Sequence, residues 1–222
     1  MTATSLIPEE VVAFLLSDDG FDLREDVKCW RNWRKLPVDD TPALLSESIW
    51  SLWTLHSEFR SLVDYRLRVS KRFAGAPLIL PNYKRATDLY IYPESLGPRC
   101  RIQHGHSTWV MGKIGSDFLV RHNCTIGHHP TKGAPTIGNN VSVGTGAVVF
   151  GNAVIGNNVS IGPNAVVDMS IPDDHVVFAP RPVIRPRKSG LPPMQQQAAG
   201  DSPSASGGPQ EQPRPEPAAT AG

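Results

Sequence analysis

Twelve residues spaced by six constrain the fold of this chain more than any other feature. They are Leu96, Ile102, Thr108, Ile114, Val120 and Ile126, followed after an interruption by Ile137, Val143, Val149, Ile155, Ile161 and Val167. A period of six fits neither an amphipathic helix nor the alternation of an ordinary strand. It is typical of hexapeptide repeats, in which each hexad forms a short strand and a turn and three hexads complete a coil. The pattern predicts a parallel β-helix with these side chains stacked inside it.

The repeat is interrupted at residues 127–136. A solenoid that only stacks its coils has little reason to break its period, whereas long insertions in repeat proteins usually lie on one face and carry binding functions. The interruption therefore favours a binding or catalytic protein. A purely structural or binding solenoid stays open as an alternative.

The sequence divides into three parts and predicts an α+β chain. Residues 1–80 contain apolar stripes with helical spacing, such as Ile49, Trp50 and Trp53, and predict a helical N-terminal domain. Residues 81–185 carry the β-helix. Residues 186–222 are rich in Pro, Gly, Ser, Ala and Gln. Because such a segment buries too little apolar surface to offset the entropy of ordering, a disordered tail is predicted.

Composition limits the classes of function. The net charge of +1 gives no basic field for a nucleic acid. Cys29, Cys100 and Cys124 are an odd number without metal-like spacing, which suits a reducing compartment. Glu9 and Glu10 stand where a signal peptide would be basic, and no apolar run approaches the roughly 20 residues of a membrane helix. We expect a cytoplasmic protein without nucleic-acid or membrane partners.

Four segments add landmarks to the repeat. They are LGPRCRIQHGH (96–106), CTIG (124–127), the run from Lys132 to Val167, and IPDDHVVFAPRPVI (171–184). On these segments, residues 88–184 resemble the catalytic domain of hexapeptide acyltransferases, nearest to serine acetyltransferase and the related saccharide O-acetyltransferases. The resemblance implies a left-handed β-helix and transfer of an acetyl group from acetyl-CoA to a hydroxyl. It also implies a homotrimer or a dimer of trimers, with active sites between neighbouring subunits.

The resemblance places the catalytic base at His104. An acceptor hydroxyl must lose its proton as it attacks the thioester, and the imidazole pKa suits that task near neutral pH. No covalent enzyme intermediate is required, because the thioester is already activated. The family's orienting Asp falls at Tyr90 here, with Asp88 and Glu94 nearby. The group that orients His104 is therefore left open.

The serine-specific landmarks of the family are missing. The residue before the catalytic His is an Asp in serine acetyltransferases and Gln103 here. Their Arg-His-Pro segment falls in the interruption, which here reads His-His-Pro-Thr-Lys-Gly-Ala-Pro. The acceptor is thus serine, a sugar or another small metabolite, and the candidate acceptor-binding residues are Gln103, His106, His128 and His129. Because the sequence ends in Ala221-Gly222 and not in isoleucine, docking on cysteine synthase is not expected.

The same resemblance implies a groove for CoA between adjacent β-helices, where small residues admit the pantetheine arm. The candidate CoA-binding residues are Lys132, Gly144, Thr145, Gly146, Ala147, Gly162, Ala165 and Arg181. Tight corners of a coil also require small residues, so a structural role for the glycines stays open.

Clustered histidines suggest a competing hypothesis. Five of the seven histidines lie between residues 104 and 129. Some trimeric carbonic anhydrases of this fold hold zinc with histidines between subunits, so a metal-dependent enzyme is an alternative. The resemblance to acyltransferases favours an enzyme without a metal.

Overall fold

The computed structural model describes residues 13–36, 41–70 and 86–186. Contacts divide the chain into two compact units, Met1–Arg181 and Pro182–Gly222. The second unit is described only over residues 182–186, which are exposed and have no regular secondary structure. The tail predicted at 186–222 lies, after its first residue, outside the described residues, as do residues 81–85 of the predicted β-helix domain.

The predicted N-terminal helices are present. Residues 13–15 are helical, a short 3-10 helix covers Asp18–Gly20, and three longer helices follow: α1 (Phe21–Trp33), α2 (Pro42–Leu55) and α3 (Ser57–Val69). Proline at the first position of α2 costs no hydrogen bond, since that N–H has no partner within a helix. The helices bury an apolar core that includes Leu23, Val27, Trp30, Leu45, Ile49, Leu52, Phe59, Leu62 and Val63. No described helix has both the length and the apolar composition needed to span a membrane.

Within residues 86–186 the chain forms fourteen short strands. They are β1 (Leu89–Ile91), β2 (Ser95–Leu96), β3 (Arg101–Gln103), β4 (Thr108–Val110), β5 (Lys113–Ile114), β6 (Leu119–Arg121), β7 (Thr125–Gly127), β8 (Thr136–Ile137), β9 (Ser142–Val143), β10 (Val148–Phe150), β11 (Val154–Ile155), β12 (Ser160–Ile161), β13 (Val166–Val167) and β14 (Val176–Val177). All of these strands pair in parallel.

Three parallel sheets form the sides of a prism. Face 1 has the order β1-β4-β7-β10-β13, face 2 the order β11-β8-β5-β2, and face 3 the order β14-β12-β9-β6-β3. The chain visits faces 1, 2 and 3 in turn and then returns to face 1, so each circuit is one coil. This is the parallel β-helix that the six-residue period predicts.

The interior is the predicted ladder. Each of the twelve repeat positions is at most 5% exposed. Side chains one coil apart stack directly: Ile137 pairs with Ile155, Val143 with Ile161, and Val149 with Val167. Because each coil can bury its aliphatic side chains only against its neighbours, the ladder gives the fold its stability.

The ladder departs from the sequence pattern at Thr108. Val110, and not Thr108, pairs with Ile126, while Thr108 pairs with Leu89. The turn before β4 is therefore two residues longer than a hexad requires, and the turn after it is two residues shorter. Thr108 is fully buried, and its hydroxyl hydrogen-bonds to the carbonyl oxygen of His106 at 3.0 Å. A satisfied hydroxyl can occupy an apolar interior at little cost.

Asparagine and aspartate side chains stack at the corners between faces 2 and 3. Asp117, Asn140, Asn158 and Asp174 have φ angles between +53° and +61°, a left-handed conformation that Asn and Asp tolerate better than most residues. The Asn140 amide donates to Asn158 Oδ1 at 2.9 Å, and the Asn158 amide donates to Asp174 Oδ1 at 2.9 Å. These bonds hold successive coils in register at this corner.

A buried ion pair joins the helices to the first coil. The guanidinium of Arg66 in α3 donates to both carboxylate oxygens of Asp26 in α1, at 2.8 and 3.3 Å. It also donates to the carbonyl oxygens of Leu96 and Gly97, the latter at 2.6 Å. Asp26 Oδ1 accepts the backbone N–H of Cys100 at 2.7 Å. Helices and β-helix are thus tied together by one network of charged hydrogen bonds.

Truncating the ladder should destabilise the protein strongly. We expect Ile137→Ala, at a position that is 2% exposed, to lower the free energy of unfolding by about 2–5 kcal/mol. The neighbouring Thr136 is exposed in the same strand, so Thr136→Ala should change it by less than about 0.5 kcal/mol. Urea unfolding followed by circular dichroism measures both. Equal effects would contradict the stacked interior.

Asp26 should make stability depend on pH. Burial raises the pKa of Asp26 from 3.8 to about 6, although Arg66 and the Cys100 N–H act in the opposite direction. Between about pH 4 and 6 the folded chain keeps a proton that the unfolded chain has lost. The free energy of unfolding due to this group is then largest below about pH 4 and falls by about 3 kcal/mol as the pH rises to 7.

The measurement compares wild type with Asp26→Asn by urea unfolding at several pH values from 4 to 7. The unfolding free energy of wild type relative to that of the variant should fall as the pH rises, because Asp26 titrates and asparagine at this position does not. A difference that stays constant over this window would refute the raised pKa.

Candidate active site

The corner between faces 3 and 1 gathers most of the predicted site residues. It consists, coil by coil, of residues 104–107, 122–124, 144–147 and 162–165, and we call it the histidine edge. Backbone hydrogen bonds join the coils there: Asn123 N–H to His106 O at 2.8 Å, Gly146 N–H to His122 O at 3.2 Å, and Asn164 N–H to Thr145 O at 2.9 Å. His104 thus shares one edge with the predicted CoA residues 144–147, Gly162 and Ala165.

The loop that carries His104 is anchored at Gly105. Gly105 is buried, and an added Cβ there would lie 2.8 Å from Ile102 Cγ2 and 2.9 Å from Leu89 Cδ2. The residues on either side, His104 and His106, are exposed. His104 has a φ of +55°, and its carbonyl oxygen accepts the His106 N–H at 2.7 Å. The tight loop therefore presents two imidazoles to solvent.

His122 is a neighbour of His104 that the sequence interpretation did not single out. The two ring centroids are 6.3 Å apart, with the ring planes inclined by 72°. His122 follows β6 just as His104 follows β3, and these strands pair directly. The two positions differ by 18 residues, which is one coil of three hexads. That spacing was the signal that could have found His122.

None of the three residues considered for orienting His104 bonds to it in the described part of the chain. The Tyr90 ring stacks on Trp109, with centroids 4.1 Å apart. Glu94 forms an ion pair with Lys113 at 3.3 Å, at a different corner of the prism. Asp88 is exposed, and its backbone carbonyl accepts a hydrogen bond from β4.

A carboxylate from the helical region approaches the loop instead. The Cγ atom of Glu58 in α3 lies 3.3 Å from the position that a Cβ on Gly105 would occupy. Glu58 is half-buried, and its carboxylate accepts a hydrogen bond from the Ser57 hydroxyl at 3.2 Å. Helix α3 therefore forms part of the wall beside His104.

The predicted CoA residues on the histidine edge divide by orientation. Ala147 and Ala165 are interior, at 0% and 1% exposure, while Thr145 and Gly146 are partly exposed. A Cβ on Gly144 would lie 2.7 Å from the Pro163 nitrogen, and one on Gly162 would lie 2.8 Å from the carbonyl oxygen of Val177. Coil packing alone therefore requires glycine at both positions.

Cys124 also lies on this edge but is not a rival nucleophile. It is fully buried, and its thiol donates to the carbonyl oxygen of Gly144 at 3.1 Å. Burial raises the pKa of the Cys124 thiol, which disfavours the reactive thiolate. The buried Cys124 is therefore not an activated cysteine.

The remaining histidines of the predicted acceptor site lie at another corner. His128, His129 and Lys132 belong to the loop 128–135, which joins face 1 to face 2. The backbones of His129 and Gly133 exchange hydrogen bonds of 2.7 and 2.9 Å, which closes this loop on itself. It is separated from the histidine edge by the width of face 1, about 10 Å for a three-residue strand. One chain does not bring the two groups together.

Arg181 lies beyond β14, near the end of the described chain. It is exposed, and its side chain makes no hydrogen bond or ion pair with the described residues. Phe178, three residues earlier, lies against the Gly162 corner of the histidine edge. Arg181 therefore follows the edge at its last coil.

The metal hypothesis finds no site in the part of the chain that the structure describes. No three His, Cys, Asp or Glu side chains there are arranged to hold a metal ion.

Known proteins that resemble this chain are named as acetyltransferases, and a family of hexapeptide repeats matches part of it. The family described as "Bacterial transferase hexapeptide (six repeats)" matches residues 134–168. WcaB of Escherichia coli (strain K12), named as a candidate acetyltransferase of colanic acid biosynthesis, is 33% identical over 112 residues, which are 46% of this chain and 68% of WcaB. A serine acetyltransferase of Staphylococcus epidermidis is 31% identical over 139 residues, which are 59% of this chain and 62% of that protein.

A solved structure shows the same fold. The crystal structure of Neisseria gonorrhoeae serine acetyltransferase matches 82% of this chain and 78% of its own, with a TM-score of 0.52 and 23% identity. At this identity the likeness concerns the fold alone. The hexapeptide match and the identity to WcaB over 68% of its length show that this chain belongs to the hexapeptide-repeat acetyltransferases. This group includes proteins of the serine acetyltransferase and WcaB type.

Proposed function

We propose that this chain transfers an acetyl group from acetyl-CoA to a hydroxyl of a small acceptor, with His104 as general base. The observation that carries the proposal is the placement of His104. It is exposed on a tight loop, on the same edge as the predicted CoA residues, in a member of an acetyltransferase family.

The reaction needs little more than positioning and one base. The neutral imidazole of His104 takes the proton of the acceptor hydroxyl while the oxygen attacks the thioester carbonyl carbon. The tetrahedral intermediate collapses, the carbon–sulfur bond breaks, and the imidazolium returns its proton to the departing CoA sulfur. A backbone N–H would stabilise the oxyanion. No residue becomes acetylated, which agrees with the inert state of Cys124.

Serine and sugars are the acceptor classes that this proposal includes. The relatives point to both, since one is named a serine acetyltransferase and the other is named for colanic acid biosynthesis. Gln103, half-buried beside His104, replaces the Asp expected for serine recognition. We also propose a cytoplasmic location, because Cys29, Cys100 and Cys124 are free thiols.

The two separated groups of site residues support a homotrimer, or a dimer of trimers, as the active form. The histidine edge and the loop 128–135 lie at opposite ends of the strands of face 1. Rotation-related copies would place the histidine edge of one subunit beside the loop of the next. His104 and His106 would then meet His128, His129 and Lys132 across a subunit boundary.

The direct test measures release of free CoA from acetyl-CoA in the presence of serine, neutral sugars or sugar acids. We expect acceptor-dependent release, and a loss of about 10²–10⁴-fold in kcat for His104→Ala, the usual contribution of a general base. His175→Ala is the matched control, because His175 is exposed at the corner between faces 2 and 3 and bonds to the carbonyl of Asp173. It should keep full activity.

If none of these compounds caused release of CoA from acetyl-CoA, the proposed enzymatic activity would be refuted. Full activity of His104→Ala, with the assembly intact by light scattering, would leave transferase activity standing but remove His104 as the base.

Mixed assemblies test whether two subunits build each site. We expect His104→Ala and the triple variant His128→Ala/His129→Ala/Lys132→Ala each to be nearly inactive alone. Co-expressed in equal amounts, they should recover about a quarter of the wild-type sites, since each site needs one intact edge and one intact loop. Activity of tagged mixed assemblies provides the readout. No recovery on mixing would place the whole site in one subunit.

A further inference from the structure

Arg121 is a cation beside the loop that carries His104. It ends β6, is half-buried, and its side chain makes no hydrogen bond or ion pair with any described residue. Other arginines of the same unit have carboxylate partners: Arg66 bonds to Asp26, Arg68 to Asp64, and Arg99 to Asp117. A half-buried guanidinium without a counter-charge has lost part of its hydration, and no ion pair compensates for that loss. An anionic ligand would supply that compensation.

The strand register places Arg121 next to the reacting groups. Arg121 pairs directly with Gln103, the residue that precedes His104. Side chains at directly paired positions on one face of a sheet have Cβ atoms roughly 5 Å apart. The residue after Arg121 is His122, whose ring centroid is 6.3 Å from that of His104. A ligand bound to Arg121 would therefore lie within reach of the base.

A second guanidinium extends the same surface. Arg101 lies two residues before Gln103 in β3, on the same outer side of face 3. Its guanidinium carbon is 5.8 Å from the centroid of the Trp33 ring in α1, and no carboxylate pairs with it in the described part of the chain. Arg101, Gln103 and Arg121 thus form one cationic strip, which we call the arginine strip, in which the only uncharged member is an amide.

Gln103 is what leaves the strip available. An Asp at position 103, as in the serine-specific pattern, would stand at the paired position of Arg121 and neutralise it. The amide of Gln103 cannot form that ion pair, yet it can donate a hydrogen bond to an anion. Glu58, the carboxylate near the loop, is not within ion-pair distance of Arg121.

We infer that the arginine strip binds a carboxylate or phosphate group of the acceptor, so that the enzyme selects anionic hydroxyl compounds over neutral ones. This inference rests on the proposed function, because it assigns the acceptor class of the same site. Bidentate contacts from guanidinium to carboxylate or phosphate are strong and directional, which suits the fixing of a hydroxyl near His104.

The experiment compares matched acceptors: glucose, glucuronate and glucose 6-phosphate, and serinamide with serine. The wild-type kcat/KM should be at least about tenfold higher for the anionic members, the value of one charged hydrogen bond. Arg121→Gln should remove at least about tenfold from the anionic acceptors only, and Arg121→Lys should restore part of it. The two sugar anions distinguish a carboxylate site from a phosphate site.

Lys113→Gln is the charge-matched control. Lys113 is exposed on face 2, where it pairs with Glu94, so its removal should leave the preference unchanged. A wild-type enzyme without preference for anions, or an Arg121→Gln variant that keeps the preference, would overturn the inference.

A binding measurement separates this inference from the proposed function. Calorimetric titration of wild type and Arg121→Gln with glucuronate, glucose 6-phosphate and serine needs no turnover. Binding of one of these carboxylate or phosphate compounds that weakens at least about tenfold in the variant supports the arginine strip even if no acetyl transfer is observed. Equal affinity of both proteins for each of the three compounds, or binding of none of them by wild type, refutes it.

Discussion

Stacking of aliphatic side chains from coil to coil is the interaction on which the rest of this structure depends. No single coil can bury its own apolar residues, so the interior exists only as a continuous ladder. Because the ladder fixes the phase of every coil, residues at equivalent turns line up as edges along the prism. The site is a consequence of this alignment. His104 and His122 meet because they occupy the same phase in successive coils, and backbone bonds from Asn123 to His106 hold that phase.

The helical region completes the wall that the β-helix lacks. Arg66 and Asp26 tie α3 and α1 to the backbone of the first coil, and Trp30 Nε1 adds a hydrogen bond to the carbonyl of Cys100 at 2.9 Å. Removal of one partner would leave the other charge buried without compensation, so breaking this attachment costs much free energy. It sets Glu58 against the His104 loop and Trp33 against Arg101.

The sequence predicted the regular part of the molecule almost completely, because a period of six has one physical solution. The irregular part was harder, for reasons that particular residues show. Thr108 fits the spacing, yet Val110 is the residue that pairs with Ile126 in the ladder. The turn before β4 has two extra residues and the turn after it has two fewer, so the six-residue spacing resumes at Ile114. A count of positions cannot detect two errors that compensate each other.

Sequence proximity does not show at which corner of the prism each histidine lies. His104, His128 and His129 are close in sequence, although the first follows face 3 and the others follow face 1. Counting phase within the coil, and not separation along the chain, would have divided them and would have joined His104 to His122. The bounds of the helices and the approach of Glu58 depend on packing between distant segments, which no local pattern contains.

The two irregular turns lie at opposite ends of one face, and under the proposed function this arrangement would link the fold to acceptor specificity. The coils that keep strict register need glycine and alanine at the histidine edge for packing alone, so this part tolerates little variation. The loop 128–135 is free of that constraint because it leaves the ladder before it turns. In the lengthened turn at 104–107 the constraint falls on the buried Gly105, while His104 and His106 are exposed. At strand ends beside such turns, such as Gln103 and Arg121, a charged residue can replace an uncharged one, or the reverse, without disturbing the core. Differences in acceptor between members of one fold should accordingly be sought at these strand ends, while the prism between them stays the same.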